Sequence, residues 1–206
     1  MSYTGPPPPG GHAAAGGSAA VAAAPAGPSS PYDSLNQAVK AIAVARQYAR
    51  ETGPPGAEVT FLPFHRYNSH DRPDPGRFAF LVFPVRQGLG TELKTADETV
   101  LNVARGSDPH KMAGAIIAVM LDRGQAVMKA AGSDAIFVAM SAVVDARHRL
   151  VARHGFDLML TASWTTEDTV AAMGRESKFL RFNILKTEPA GPRSGVLPAL
   201  PHPAAV

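Results

Sequence analysis

The chain has 206 residues, with 20 Lys and Arg against 17 Asp and Glu and no cysteine. The length allows one or two small domains, and the missing thiols exclude disulfides and thiolate metal sites. A surplus of three positive charges is weak ground for a polyanion partner, so its location counts for more than its size.

Residues 1–32 hold no Lys, Arg, Asp or Glu and are dominated by Ala, Gly and Pro. They carry too few large apolar side chains to offset the entropy of ordering, and the segment reads as a disordered tail. It lacks the basic start and Leu-rich centre of a secretory signal and the arginines of a transit peptide. No apolar run approaches the ~20 residues of a membrane span. The expected setting is soluble, intracellular and cytoplasmic.

Asp33 or Ser34 is the expected cap of a first helix, because Leu35, Ala38, Val39, Ile42 and Ala45 recur at helical spacing. Gly53-Pro54-Pro55-Gly56 ends it, since neither residue type continues a helix cheaply. Val59–Leu62 and Phe78–Phe83 read as strands on either side of a polar loop, and residues 33–87 form a helix–strand–strand unit. The second strand is apolar on both faces, which calls for cover from the second half in an internal pseudo-dimer.

Residues 88–98 read as a linker. After it the pattern predicts a strand at Thr99–Ala104, a helix from His110 to Arg123, and a strand at Gln125–Ala130. A helix from Asp134 to Arg153 and strands at Phe156–Ala162 and Phe179–Leu185 follow. Leu180, Phe182 and Ile184 alternate with Arg181 and Asn183, giving the last strand one apolar and one wet face. Residues 189–206 return to a Pro-rich tail.

The two halves share a unit. Leu35, Val39, Ile42, Ala45 and Arg46 match Ile136, Met140, Val143, Ala146 and Arg147 at an offset of 101, which also sets Phe78, Leu81 and Phe83 against Phe179, Phe182 and Ile184. An internal repeat is the reading, one copy complete over 99–188 and one partial over 33–87.

The run Leu35–Arg46 resembles the second helix of the stage V sporulation protein S family, a bacterial group of the Alba-like superfamily. Val100-Leu101-Asn102-Val103 is similar to its first strand, Ala113–Ala118 through Arg123-Gly124 to its first helix, and Ala130-Ala131-Gly132 to the end of its second strand. The resemblance implies a two-layer α+β sandwich of two helices on a four-stranded sheet, dimer formation, and binding of DNA or RNA with low sequence specificity. In that superfamily the contacts come from the first strand–helix loop and the last hairpin. The matching loop here offers Arg105 and Lys111, while the matching hairpin tip carries Glu167 and Asp168.

No catalytic constellation stands out, so the expectation is a non-enzymatic protein with no cofactor and no metal. His65 and His70 have no carboxylate pair or thiol to close a metal site. Gln87-Gly88-Leu89-Gly90 lacks the Lys-Ser/Thr of a phosphate-cradling loop. His148, Arg149, Arg153 and His154 with Arg147 read as a basic helix end that suits the helix dipole. The first-half loop is richer: Arg66, Arg72 and Arg77 can pair with phosphates and Tyr67 can stack on unpaired bases. The candidate nucleic-acid-binding set is therefore Arg66, Tyr67, Arg72, Arg77, Arg105 and Lys111, with the first-half arginines expected to matter more. The alternative is a structural adaptor in a large protein assembly, of the cytoskeletal or ciliary kind, which suits the charge-neutral complete module and the long tails. A homodimer or an internal pseudo-dimer fits both.

Overall fold

The computed structural model describes residues 32–67, 73–86, 99–167 and 177–188. The expected tails and linker lie outside these residues. Within the described residues, three helices cover one face of a six-stranded mixed sheet, an α+β two-layer arrangement. The elements are α1 (Asp33–Thr52), β1 (Ala57–Tyr67), β2 (Pro73–Arg86), β3 (Val100–Val103), α2 (Pro109–Arg123), β4 (Gln125–Ala130), α3 (Ser133–His154), β5 (Asp157–Glu167) and β6 (Ser177–Thr187). The sheet order is β2-β1-β5-β6-β4-β3.

Local chemistry sets the helix ends. Asp108 caps α2, its carboxylate accepting from the His110 and Lys111 N–H groups, and Pro109 takes the first turn, where a missing donor costs nothing. Gly124 ends the helix at φ 71°, a left-handed position that favours glycine. In α1 neither Asp33 nor Ser34 is the cap. The helix begins at Asp33 after Tyr32 with no side-chain cap, and the Asp33 carboxylate instead accepts a hydrogen bond from Ser133 Oγ.

The complete module is the predicted strand–helix–strand–helix–strand–strand, with β3 parallel to β4 and β4 and β5 each antiparallel to β6. Both hairpins are longer than the apolar runs suggest. Most of the expected first-half loop is strand, and β5 runs on past Ala162 to Glu167 with Trp164 inside it. The core sits between helices and sheet, with Phe61, Ile116, Met128, Met140, Leu160 and Phe182 fully buried. α3 lies between α1, α2 and the sheet, so Ala135, Val138, Ala142 and Ala146 are buried along with its sheet-facing side chains.

The partial unit joins the complete one through β1 and β5, which meet antiparallel at Phe61 and Leu160. A two-fold relation runs through that pair and can be checked residue by residue. Arg46 of α1 binds Glu58 with both arms of its guanidinium and donates to the Ala162 carbonyl of β5. Arg147 of α3 binds Asp157 in the same way and donates to the Pro63 carbonyl of β1. At the helix starts Tyr32 stacks on Phe137, with ring centroids 3.8 Å apart, and the reciprocal contact is the hydrogen bond from Asn36 to Ser133.

Two expectations need correction. The repeat register in the last strand is slipped by one residue. Glu58 faces Val85 and Asp157 faces Thr187, so residues of β2 and β6 correspond at an offset of 102, and Phe78 and Phe80 are the counterparts of Leu180 and Phe182. A slip of one turns every side chain to the other face. The contacts agree with the corrected register: Phe80 packs edge-on against Phe61 and Phe78 against Phe137. The second correction concerns β2 itself. It does not lie between the two halves, because β1 takes that place; β2 is the outer strand, with Val82 47 % and Phe83 38 % exposed.

Candidate nucleic-acid interface

The antiparallel β1–β5 junction sends the two hairpins to opposite ends of the sheet. Arg66 and Arg77 are exposed beside the β1–β2 tip at one end. Tyr67 ends β1, although its side chain lies outside the described residues, as does the whole of Arg72. The β3–α2 loop with Arg105 and Lys111 lies at the other end, past the cross-strand row Val103–Ala130–Leu180–Trp164. The candidate residues therefore form two separate groups.

The second group has more company. One row before Trp164, the ladders align Asn102, Lys129, Arg181 and Ser163 across four strands. The neighbouring row contains the buried Met128, Phe182 and Ala162, so alternation puts Lys129 and Arg181 on the face away from the helices. Arg181 donates to the Asn183 side chain at 3.2 Å. Lys178 is exposed at the start of β6. Across the edge, Trp164 is 41 % exposed, and Lys40 of α1 sits with its Nζ 5.9 Å from the indole centroid.

The described carboxylates at this end are engaged. Asp134 pairs with Arg105 at 3.1 Å. Asp108 is held by the backbone N–H groups of Lys111 and His110, which lower its pKa below the usual aspartate value. Lys111 itself is exposed. Lys40, Lys129, Lys178 and Arg181 do not stand out as site residues in the sequence. The alternation in the last strand marks Arg181 as facing away from the core, but only strand register brings Lys129 beside it.

The basic end of α3 differs from the expectation. Arg147 is 6 % exposed and turned into the sheet junction, with its guanidinium carbon 4.3 Å from the Phe64 ring centroid. Arg149 pairs with Asp145 one turn back, and His110 Nδ1 lies 2.9 Å from the same carboxylate. Partial burial and the neighbouring Arg147 charge hold His148 below the ordinary imidazole pKa. His65 packs on Phe78, with ring centroids 4.8 Å apart. No helix among the described residues is long and apolar enough to cross a membrane.

Two helices on a four-stranded sheet, with the order and ladder just described, make residues 99–187 a module of Alba-like fold. The comparison with family models agrees: these residues match the family described as Stage V sporulation protein S (SpoVS). The match spans the complete module and not the partial unit before it. No curated protein matches the chain.

Proposed function

We propose that the protein binds DNA or RNA through the phosphate backbone, with low sequence specificity and without catalysing a reaction. The observation that carries this is the gathering of Lys40, Arg105, Lys111, Lys129, Lys178 and Arg181 around one end of the complete module. Phosphate contacts need a local excess of positive charge, and here six basic side chains gather where Asp108 caps a helix and Asp134 pairs with Arg105, one of the six. Trp164 adds an exposed ring on which an unpaired base can stack. The proposed site is at the complete module, the reverse of the ranking that the first-half arginines suggested.

The test is fluorescence anisotropy with single-stranded and duplex oligonucleotides over a salt series. Lys129→Ala and Arg181→Ala should each flatten the slope of log K against log salt by about 0.7–0.9. Arg66→Ala should leave it nearly unchanged. No binding at low salt refutes the proposal and leaves the adaptor reading, an intracellular scaffold subunit of the cytoskeletal or ciliary kind.

A further inference from the structure

The two-fold relation shows what the partial unit lacks. In the complete module β4 pairs antiparallel with the outer edge of β6 through Leu180, Phe182 and Ile184. Among the described residues no strand lies beside the corresponding edge of β2, at Phe78, Phe80 and Val82. The helix layer shows the same gap. α2 packs beside α3, with His110 against Asp145, whereas Val44, the α1 counterpart of Asp145, and Tyr48 one turn on are 56 % and 67 % exposed.

The direction of the backbone groups on β2 follows from Pro63. It has no N–H, and its carbonyl accepts from Arg147, so the Pro63–Phe80 pair exchanges no ladder bonds. Alternation then turns the N–H and C=O groups of Phe78, Phe80 and Val82 outward, and Pro84 falls where its missing donor costs β1 nothing. The strand has no charged residue from Phe78 to Val85. Edges that stay single usually carry lysines or inward-turned charges, and this stretch has neither.

We propose that this edge is covered by the same edge of a second copy, joining two sheets into one continuous sheet of twelve strands. Three observations favour a second copy over another partner. A two-fold axis across an edge makes the pairing antiparallel, the sense in which β4 covers β6. An uncharged strand offers a foreign partner no ion pair to select it, but it opposes no like charges when it meets itself. With the axis at Leu81, Phe83 lies against Ala79 and Val82 against Phe80, large against small, with roughly six outward backbone hydrogen bonds. The contact also continues the edge-to-edge principle by which β1 already joins β5. It is a small interface, so association is expected to be weak and to appear only as concentration is raised.

The experiment is sedimentation equilibrium on the full chain, freed of nucleic acid by nuclease and high salt, so that its result is independent of the binding proposal. The mass should rise from one toward two multiples of 21.5 kDa with concentration. Val82→Pro removes an outward donor and leaves the β1 ladder intact; it should stay monomeric and keep the wild-type melting curve. The chain has no native cysteine, so Leu81→Cys under mild oxidant should form a disulfide-linked dimer, while Ala118→Cys on the exposed side of α2 should not. Should Val82→Pro fail to fold, the cysteine pair decides. A single-chain mass at all concentrations, a dimer that persists in folded Val82→Pro, or equal crosslinking at positions 81 and 118 overturns the proposal.

Discussion

Replacing Arg147 by Ala tests whether the two units hold each other. The side chain makes two bonds to Asp157, at 2.8 and 2.7 Å, and one of 2.6 Å to the Pro63 carbonyl across the junction. Its loss leaves the Asp157 carboxylate buried with the Leu158 N–H, 2.7 Å away, as a remaining partner. Breaking a buried pair from one side costs about 3–5 kcal/mol, and that surviving bond points to the lower end, about 3 kcal/mol. This is a large share of a typical total of about 5–15 kcal/mol. Arg147→Ala with Asp157→Ala should recover much of the loss, since no buried charge is then stranded, giving a coupling of about 2 kcal/mol. Urea unfolding followed by circular dichroism and by the fluorescence of Trp164, the single tryptophan, reads both units together. By the two-fold relation, Arg46→Ala should cost a similar amount. A loss under about 1 kcal/mol, or a double variant equal to the sum of its singles, refutes the reasoning.

His148 prefers its neutral form in the fold, because partial desolvation of its otherwise exposed ring and the Arg147 charge lower its pKa from the ordinary 6.5. Below that pH the unfolded chain takes up the proton more readily, so stability should fall as pH drops from about 6.5 through the folded value, and His148→Gln should flatten this fall in pH-dependent urea midpoints. Gly132 stands at φ 82° and ψ 163°, a region open essentially to glycine alone, so Gly132→Ala should cost about 1–3 kcal/mol. Gly114 is exposed within α2, with nothing within 4 Å of an added Cβ, so Gly114→Ala should add about 0.5–1 kcal/mol, both glycine variants being read by urea unfolding.

The complete module was legible because its turn chemistry is unambiguous: Asp108-Pro109 opens a helix, Gly124 closes it, and the strand runs between fall at their predicted places. The partial unit was legible in kind but not in register. Two extra residues in the Gly53–Gly56 connection change the offset from 101 in the helices to 99 between Phe61 and Leu160, and to 102 in the last strands. Matching large apolar residues at a constant spacing cannot detect that change, since β2 is apolar on both faces. Arg46 and Arg147 were visible as repeat markers. Their burial was not, because the acids that hold them, Glu58 and Asp157, belong to strands whose register only pairing fixes. The basic end of the module was hidden for the same reason: Lys129 and Arg181 are 52 positions apart in sequence and side by side in the sheet.

The reciprocal arginines also bear on why an incomplete unit can persist. A helix with one hairpin is too small to hold a fold alone. As a separate polypeptide it would leave its partner on dilution and unfold. Tethered within one chain, it meets that partner at an effective concentration in the millimolar range whatever the amount of protein present. Fusion thus fixes the stoichiometry at one partial to one complete unit and relaxes the demand that each be stable by itself. The absence of a strand–helix–strand segment among the described residues, fatal to a free subunit, is tolerable in a tethered one, and the β2 edge that corresponds to the β4-covered edge of β6 is then open to a second copy.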